Sequence, residues 1–411
     1  MDKKNKNPNV PNLRFSQFIE PWSNFVVSEL LSIFPTNSLS WDQLTNKQDS
    51  SLKNLHYGLI HNGFKTTCIT GDNQLFPYIK HSFIPTKYAL IQNGDLILAD
   101  ASEDRKDVGR PVEMLDICNQ KIVSGLHTLH ARNKTDLIVN GFKGFYFQSS
   151  AMKQQIFKIA NGSKIYGISS SAFNELKMFI PEKHEQRKIV NLMIKIEERI
   201  QTQIKIIGDY TSLKKGIIQH IFNVNYEFPS VHLKAVLKEI SQKNKNRDNI
   251  DVLSVSNSLG FIKQSEQFED RAIASADTSN YKIVNKNEYA YNPARINVGS
   301  IARLQNCDCG IVSPMYTIFK TDISKISYEY FDLFLQSSTF QKQLSQKLEG
   351  SVRQCLTFAS MQNILIELPP LETQIEISEK MKFIDSKIKI ESDYLNLLKI
   401  KKEYLLKNMF V

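Results

Sequence analysis

Two stretches of the chain carry hydrophobic side chains at alternating steps of four and three residues. They cover residues 181–222 and 369–410 and align without a gap at an offset of 188 residues. This spacing puts the apolar side chains on one stripe of a helix, which predicts a long helix with a coiled-coil seam in each stretch. The predicted seam residues are Ile189, Met193, Ile196, Ile200, Ile207, Ile217, Ile377, Met381, Ile384, Ile388, Leu395, Leu398 and Leu405.

Polar residues interrupt both seams at matching places. Gln203 coincides with Glu391, and Lys214 coincides with Lys402. A polar residue in an apolar seam lowers stability but fixes the register and the partner of the helix. The matched interruptions therefore predict that the two helices lie against each other.

The repeat extends upstream of the helices. The Gly-Ser pair at 162–163 returns at 350–351, and Gln-Ser-Ser at 148–150 returns at 336–338. A unit of about 190 residues is too long for a solenoid repeat, so each copy is a domain followed by its helix. The predicted order is a disordered tail at 1–10, a domain at 11–180, a helix at 181–222, a domain at 223–368 and a helix at 369–411.

Each domain contains short β-rich runs separated by Asn, Gly and Asp turns, which predicts mixed α/β structure. A helix is predicted at the end of each domain, at 147–161 and 328–349, with Gly162 or Gly350 at its C-cap. The fold class is therefore α+β, with two mixed α/β domains separated by two long helices and an internal pseudo-twofold repeat. The clearest predicted strands lie at 88–91, 95–99, 136–139, 288–291 and 316–319.

Composition narrows the partners and the compartment. The net charge of +10 and the pI near 9.1 suit a polyanion, because Lys and Arg neutralise phosphates. The sequence has no long apolar run and no signal-peptide pattern, and its five cysteines favour a reducing compartment, so we expect a cytoplasmic protein without membrane contact. Cys307 and Cys309 form a pair, but no second cluster completes a zinc site, and we predict no metal.

The motifs of the common catalytic classes are missing. No two glycines are separated by a single residue, which argues against a nicotinamide loop and a glycine-rich S-adenosylmethionine loop. The tetrad from Asn292 to Arg295 is similar to the motif of amino-methyltransferases but lacks the aromatic residue that stacks a flipped base. We predict no catalytic residue.

Basic and polar loops separate the predicted strands of both domains. Arginine and asparagine make the common bidentate contacts to guanine and adenine, while lysine mostly holds phosphate. The predicted DNA-binding residues are Arg105, Lys106, Arg110, Arg132, Lys143, Lys164, Asn292, Arg295, Arg303 and Arg353.

Across nearly its whole length the chain resembles the specificity subunit of Type I restriction–modification systems. The resemblance rests on the opening residues 11–15, on the paired Gly-Ser elements, and on the prolines at 181 and 369 that precede a glutamine at 186 and 374. The chain departs from the family pattern at residues 182–183, where Glu-Lys replaces Pro-Leu, and at Tyr404, which replaces a glycine. The variable domains match loosely, as expected if each member reads different DNA.

The resemblance implies a chain without catalytic activity. Two target-recognition domains would each read half of a bipartite site on double-stranded DNA, and the two helices would form an antiparallel coiled coil that spaces them. Two methylation subunits and the restriction subunits would bind the chain. S-adenosylmethionine, ATP and Mg²⁺ would be bound by those partners, with no cofactor on this chain.

Three alternatives remain open. The first is the specificity subunit of a Type IIB-like enzyme, in which cleavage chemistry is fused to the methylation partner. The second is a DNA methyltransferase or nuclease with its own active site. The third is a coiled-coil scaffold whose basic charge is incidental.

Overall fold

The computed structural model describes residues 9–71, 76–223, 228–245, 250–257, 259–264, 278–350 and 354–411. The predicted disordered tail at 1–10 lies outside these residues apart from its last two. The chain divides into a first unit, Met1–Lys205 with Ser392–Val411, and a second unit, Ile206–Glu391. Both divisions fall inside long helices.

The first unit is built from short strands, four short helices and parts of both long helices. Its strands are β1 (Ser23–Val26), β2 (Leu31–Phe34), β3 (Leu44–Thr45), β4 (Leu52–Leu55), β5 (Cys68–Thr70), β6 (Tyr78–Ile79), β7 (Leu96–Ala99), β8 (Ala101–Ser102), β9 (Pro111–Asp116), β10 (Lys121–Ser124), β11 (Thr128–Asn133), β12 (Tyr166–Gly167) and β13 (Lys177–Ile180). Its short helices are α1 (Val27–Leu30), α2 (Phe142–Gln148), α3 (Ser150–Ile159) and α4 (Ser170–Asn174), and the first long helix is α5 (Lys183–Asn223).

The second unit repeats this plan with fewer strands. Its strands are β14 (Ser230–His232), β15 (Leu237–Ile240), β16 (Leu253–Ser256), β17 (Gly260–Lys263), β18 (Lys282–Asn285), β19 (Tyr289–Tyr291), β20 (Ile301–Arg303), β21 (Cys309–Val312), β22 (Thr317–Thr321) and β23 (Leu365–Glu367). The helices that follow are α6 (Tyr328–Leu335), α7 (Ser338–Lys347), α8 (Phe358–Gln362) and the second long helix, α9 (Leu371–Asn408).

The main sheets of the two units have equivalent topologies. The first has the strand order β2-β11-β7-β9-β5 and the second has β15-β22-β19-β20, so the first four positions correspond. Each unit also has a separate antiparallel strand pair. It is β1 with β13 in the first unit and β14 with β23 in the second. The first unit adds a four-stranded sheet, β10-β4-β6-β3. This agreement confirms the predicted fold class with its internal repeat.

In each unit the beginning of one long helix packs against the end of the other long helix. The core of the first unit contains Ile189 and Met193 from α5 together with Leu405 from α9. The core of the second contains Ile218 from α5 and Met381 from α9. The helices therefore run antiparallel within each unit. All the predicted seam residues are buried or half-buried.

The opening segment of the chain is anchored to α5. Trp22 is 2% exposed and belongs to the core of the first unit. Arg14 makes a bidentate ion pair with the buried carboxylate of Glu185, with N–O distances of 2.8 and 2.7 Å. The opening motif thus fixes the beginning of the chain to the beginning of the helix.

Two of the predicted strands are wrong. Residues 136–139 form a turn that leads into α2, because their backbone groups bond to a side chain of α5 rather than to a neighbouring strand. In the segment 88–91 only Leu90 pairs, through an isolated bridge to Val123.

The predicted closing helices are each split in two. Ser149 separates α2 from α3 because its hydroxyl accepts the N–H of Met152 as an N-cap, and Ser337 caps α7 in the same way. Gly162 and Gly350 do not end a helix. They lie beyond it with φ of +139° and +102°, each directly after a residue that forms an isolated bridge, Asn161 with Gly167 and Glu349 with Cys355.

Candidate nucleic-acid interface

The first domain is held to α5 by one buried glutamine. The Gln186 amide nitrogen donates to the carbonyls of Pro181 and Leu137, both at 2.8 Å. Its amide oxygen accepts the backbone N–H of Val139 at 2.9 Å. All three hydrogen bonds lie where the domain joins the helix, so this side chain fixes the domain to α5.

Gln374 makes the same three hydrogen bonds in the second unit. Its amide nitrogen donates to Pro369 at 2.8 Å and to Lys325 at 2.9 Å, and its oxygen accepts the N–H of Ser327 at 2.8 Å. Every partner is 188 residues from its counterpart in the first unit. The sequence marked both glutamines as motif residues but did not reveal what they do.

In the first unit, the loop between β8 and β9 carries three of the predicted DNA-binding residues. Arg105 lies against α3, with its guanidinium 4.2 Å from the centre of the Phe157 ring. Lys106 is exposed, and Arg110 donates to the carbonyl of His61 at 2.9 Å. The loop is anchored through Arg105 and Arg110, and its exposed part carries Lys106 beside Glu103, Asp104 and Asp107.

Lys106 and Arg110 line a cleft of about 210 Å³ together with Lys153 of α3. Burial lowers the pKa of Lys153, and the positive charges of Lys402 and Arg110 lower it further, against the opposing effect of Asp107. The cleft lining holds three cationic side chains and one acidic side chain, Asp107, which suits an anion such as phosphate. No sequence pattern singled out Lys153.

The corresponding loop of the second unit, between β19 and β20, is less charged. Asn292 accepts the N–H of Ala294 at 3.1 Å, which shapes the turn, and its amide nitrogen faces the sulfur of Met315 at 3.5 Å. Arg295 is exposed. Asn292 and Arg295 line a cleft of about 590 Å³ whose other walls include Ser254.

Exposed apolar side chains occur in the second unit, and one of them, Met315, lines this second cleft. Met315 is 61% exposed, Val298 is 51% exposed and Leu259 is 71% exposed. Met315 forms part of the cleft wall, and Gly299, next to Val298, packs near the Asn257 backbone. Amide, guanidinium and apolar groups together are the chemistry that reads base edges, including the methyl group of thymine.

Lys143 was wrongly predicted to contact DNA. It is fully buried, and its ammonium lies 3.0 Å from Glu113, whose carboxylate also accepts the backbone N–H groups of Gly141 and Gly144 at the start of α2. A lysine is buried only where a carboxylate pairs with it. The partner is remote in sequence, so the loop pattern did not reveal it.

Arg132 and Arg303 direct their donors at carboxylates inside their own units. Arg132 makes two hydrogen bonds to Asp95, at 2.8 and 2.7 Å, and Arg303 makes two to Asp332, at 3.0 and 2.7 Å. Burial alone would raise the pKa of Asp95, but hydrogen bonds from Arg132 and His130 hold it below its usual value. The guanidinium groups of both arginines are thus paired with carboxylates of their own units.

The remaining predictions fall on the Gly-Ser loops. Lys164 is exposed in the loop that Gly162 begins. Arg353 lies outside the described residues. Within the described ranges no group of three or more metal-ligating side chains converges, and none of the helices there is long and apolar enough to cross a membrane.

Comparison with known proteins agrees with this architecture. The family model for the Type I restriction modification DNA specificity domain matches residues 236–399. The Type I restriction enzyme MjaVIII specificity subunit of Methanocaldococcus jannaschii is 22% identical over 280 residues, which cover 60% of this chain and 64% of that relative. The match thus spans less than two thirds of the relative's length.

Solved structures show the same fold at low identity. The S subunit of a Type I restriction–modification system from M. genitalium aligns over 98% of this chain and 99% of its own, with a TM-score of 0.55 and 13% identity. A chain from a study of complex assembly and conformational transition of the type I R-M system aligns over 94% and 96%, with a TM-score of 0.61 and 14% identity.

The fold and its two loop clusters define a class of duplicated chains in which α/β domains alternate with long helices. Within that class, residues 236–399 match the model of the Type I restriction modification DNA specificity domain, and the chain is similar to Type I restriction–modification S subunits.

Proposed function

We propose that the chain reads a bipartite DNA sequence for a Type I restriction–modification complex, one half-site per unit, with the long helices as the spacer. The observation that carries this proposal is the equivalent mounting of two domains whose loops differ. Gln186 and Gln374 make matching hydrogen bonds, whereas the loops at 103–110 and 292–300 present different chemistry. Two domains that are attached in the same way but carry different loops suit a split site whose halves differ in sequence.

The two loops contribute in different ways. Lys106 and Lys153 of the first unit hold phosphate, because a positive cleft attracts the DNA backbone. Arg295 of the second unit contacts a base edge, and Met315 beside it offers an apolar surface to a thymine methyl group. Binding strength then comes mainly from the first loop and base discrimination from the second.

The chemistry belongs to partner subunits. A methyltransferase must flip its target base out of the duplex into its own pocket, so this chain needs only to position that partner. The internal repeat offers equivalent surfaces to two methylation subunits, and restriction subunits complete the complex. S-adenosylmethionine, ATP and Mg²⁺ act in those partners, and no residue of this chain is assigned a catalytic role.

The test is to co-express the chain with the methylation subunit encoded beside it and to map methylated adenines across the host genome. We expect a split motif with a fixed unspecified gap. A stable complex that leaves the genome unmethylated would overturn the proposal and favour a scaffold. Methylation by the purified chain alone would instead reveal an active site of its own.

A further inference from the structure

The first unit exposes a group of large apolar side chains on two adjacent turns. Trp41 is 50% exposed, Phe83 is 41% exposed and Ile84 is 38% exposed. Trp41 precedes β3 and Phe83 follows β6, and these two strands pair antiparallel. The turns therefore meet at one end of the strand pair. We call Trp41, Phe83 and Ile84 the apolar edge.

The apolar edge is held firmly. The backbone N–H of Lys80 donates to the carbonyl of Gln43 at 3.1 Å, which joins the two turns. The N–H of Phe83 closes its own turn on the Lys80 carbonyl at 2.9 Å, and the N–H of His81 donates to Asp49 at 2.8 Å. Exposed apolar groups on a rigid turn lose little conformational entropy on binding.

The Trp41 ring is supported by His56 and by the backbone at Gly58. Its centre lies 4.4 Å from that of the buried His56 ring, and a Cβ placed on Gly58 would come within 3.3 Å of it. Glycine at position 58 thus lets the indole lie close to the backbone. The ring is fixed in orientation while half of its surface stays open.

The charge around the apolar edge suits a polyanion. Residues 76–94 contain Lys80 and Lys87 but no acidic residue. Residues 40–55 add Lys47 and Lys53 against Asp42 and Asp49, so the two segments together hold four lysines and two aspartates, a net charge of +2. Apolar side chains flanked by lysines favour DNA over an acidic or neutral protein surface.

A row of ring contacts connects the apolar edge with the basic loop. His56 stacks on Trp41 and lies 4.6 Å from Tyr57, whose ring meets that of His61 at 6.0 Å. The His61 carbonyl in turn accepts Arg110 of the 103–110 loop. The buried His56 and the half-buried Tyr57 and His61 therefore link Trp41 to the 103–110 loop within the first unit.

We propose that the apolar edge is a DNA-binding wedge, in which Trp41 and Phe83 insert at a base step and partly unstack it while flanking lysines hold the phosphates. Apolar wedges of this kind kink the duplex and add contact with the bases without contacting a phosphate. The inference rests on the proposed function, since it adds a second contact to the same DNA. It assigns the four-stranded sheet of the first unit to DNA deformation.

The two tryptophans of the chain make a direct test possible. Trp22 is buried at 2% exposure, so a DNA-dependent change in tryptophan emission reports on Trp41. We expect duplex containing the target site to quench the emission of the full-length chain and to shield it from iodide. Trp41→Phe should abolish this change. A labelled duplex followed by anisotropy in the same samples shows independently whether DNA is bound.

Affinity measurements at several salt concentrations separate a wedge from a phosphate contact. Trp41→Ala and Phe83→Ala should each weaken binding about tenfold without changing the slope of log affinity against log salt. Lys87→Ala should reduce that slope. Ile323→Ala is the matched control, because Ile323 is 61% exposed in the second unit.

Unchanged emission with DNA bound would overturn the wedge and leave the proposed function standing. A change in Trp41 emission that needs the methylation subunit instead of DNA would also overturn it and assign the apolar edge to a protein partner. If the chain binds no DNA even at low salt, this inference and the proposed function fall together.

Discussion

The ammonium of Lys402 lies 2.6 Å from a carboxylate oxygen of Glu197, and this contact joins the two long helices within the first unit. Glu197 also accepts the backbone N–H and the hydroxyl of Thr67, so it ties the domain to both helices. In the second unit Lys214 and Asp385 form the equivalent pair, also at 2.6 Å. The lysines that interrupt the seams are therefore the basic halves of two interhelical ion pairs.

The two ion pairs should differ in strength because their burial differs. The side chains of Glu197 and Lys402 are 5% and 17% exposed, against 52% and 21% for Asp385 and Lys214. We expect Lys402→Met to lower the free energy of unfolding by about 3 kcal/mol, since it leaves a buried carboxylate without its cation. The exposed pair should contribute less than about 1 kcal/mol. Denaturant unfolding of the full chain, with Lys214→Met as control, tests this; equal losses would contradict it.

Gln186 and Gln374 should be equally sensitive to substitution. Replacing either by alanine leaves a buried backbone N–H and two carbonyls without partners, which costs about 2 kcal/mol or more. Both variants should also become more accessible to protease where the domain joins the helix. Gln48→Ala, at an exposed position, is the control for loss of the side chain. Unchanged stability in either variant would show that the hydrogen bonds of that glutamine do not stabilise the fold.

Local patterns predicted the helices well and the loops poorly. The seam repeats every few residues, so the heptad pattern was enough to predict each helix, its buried face and the helix against which it packs. The apolar run at 136–139 had the composition of a strand, but its backbone bonds to Gln186, a residue far along the chain. Lys143 likewise could not be distinguished from a surface lysine until Glu113 was placed beside it.

The two DNA loops should respond differently to alanine substitution. Arg295→Ala should relax one half-site of the methylation motif and leave the other half-site and the gap intact, at a cost of about 1–3 kcal/mol in discrimination. Lys106→Ala should weaken binding to all sequences and reduce the salt slope by about one. Genome methylation maps and salt titrations measure these effects. Relaxation of both half-sites by Arg295→Ala would contradict the division of roles.

Deleting one heptad from each long helix should change the gap of the recognised site. Removing residues 201–207 and 389–395 keeps the seam in register and shortens each helix by about 10 Å, equivalent to roughly three base pairs. The half-site sequences should remain the same, because the reading loops are untouched. Methylation mapping would show this, and an altered half-site would exclude a pure spacer role.

Acid should destabilise the first unit through His56. Burial, with a smaller contribution from His127, lowers the pKa of His56 from its ordinary 6.5 to about 4. Between these values the unfolded chain binds a proton that the folded chain does not, so stability falls as the pH falls through this window and is unaffected above it. His56→Gln should lessen the loss of stability between about pH 7.5 and about pH 5. His184→Gln, at an exposed position, should keep the full loss.

The matching hydrogen bonds of Gln186 and Gln374 also affect how such a chain can evolve. Gln186 and Gln374 form hydrogen bonds with equivalent backbone positions in the two copies. A domain moved from one copy to the other therefore finds the same hydrogen-bonding glutamine there. Recombination between genes, or between the two halves of one gene, can then exchange whole domains without redesigning their attachment. Under the proposed function, such an exchange would change the recognised DNA sequence in one step and leave the partner subunits unchanged.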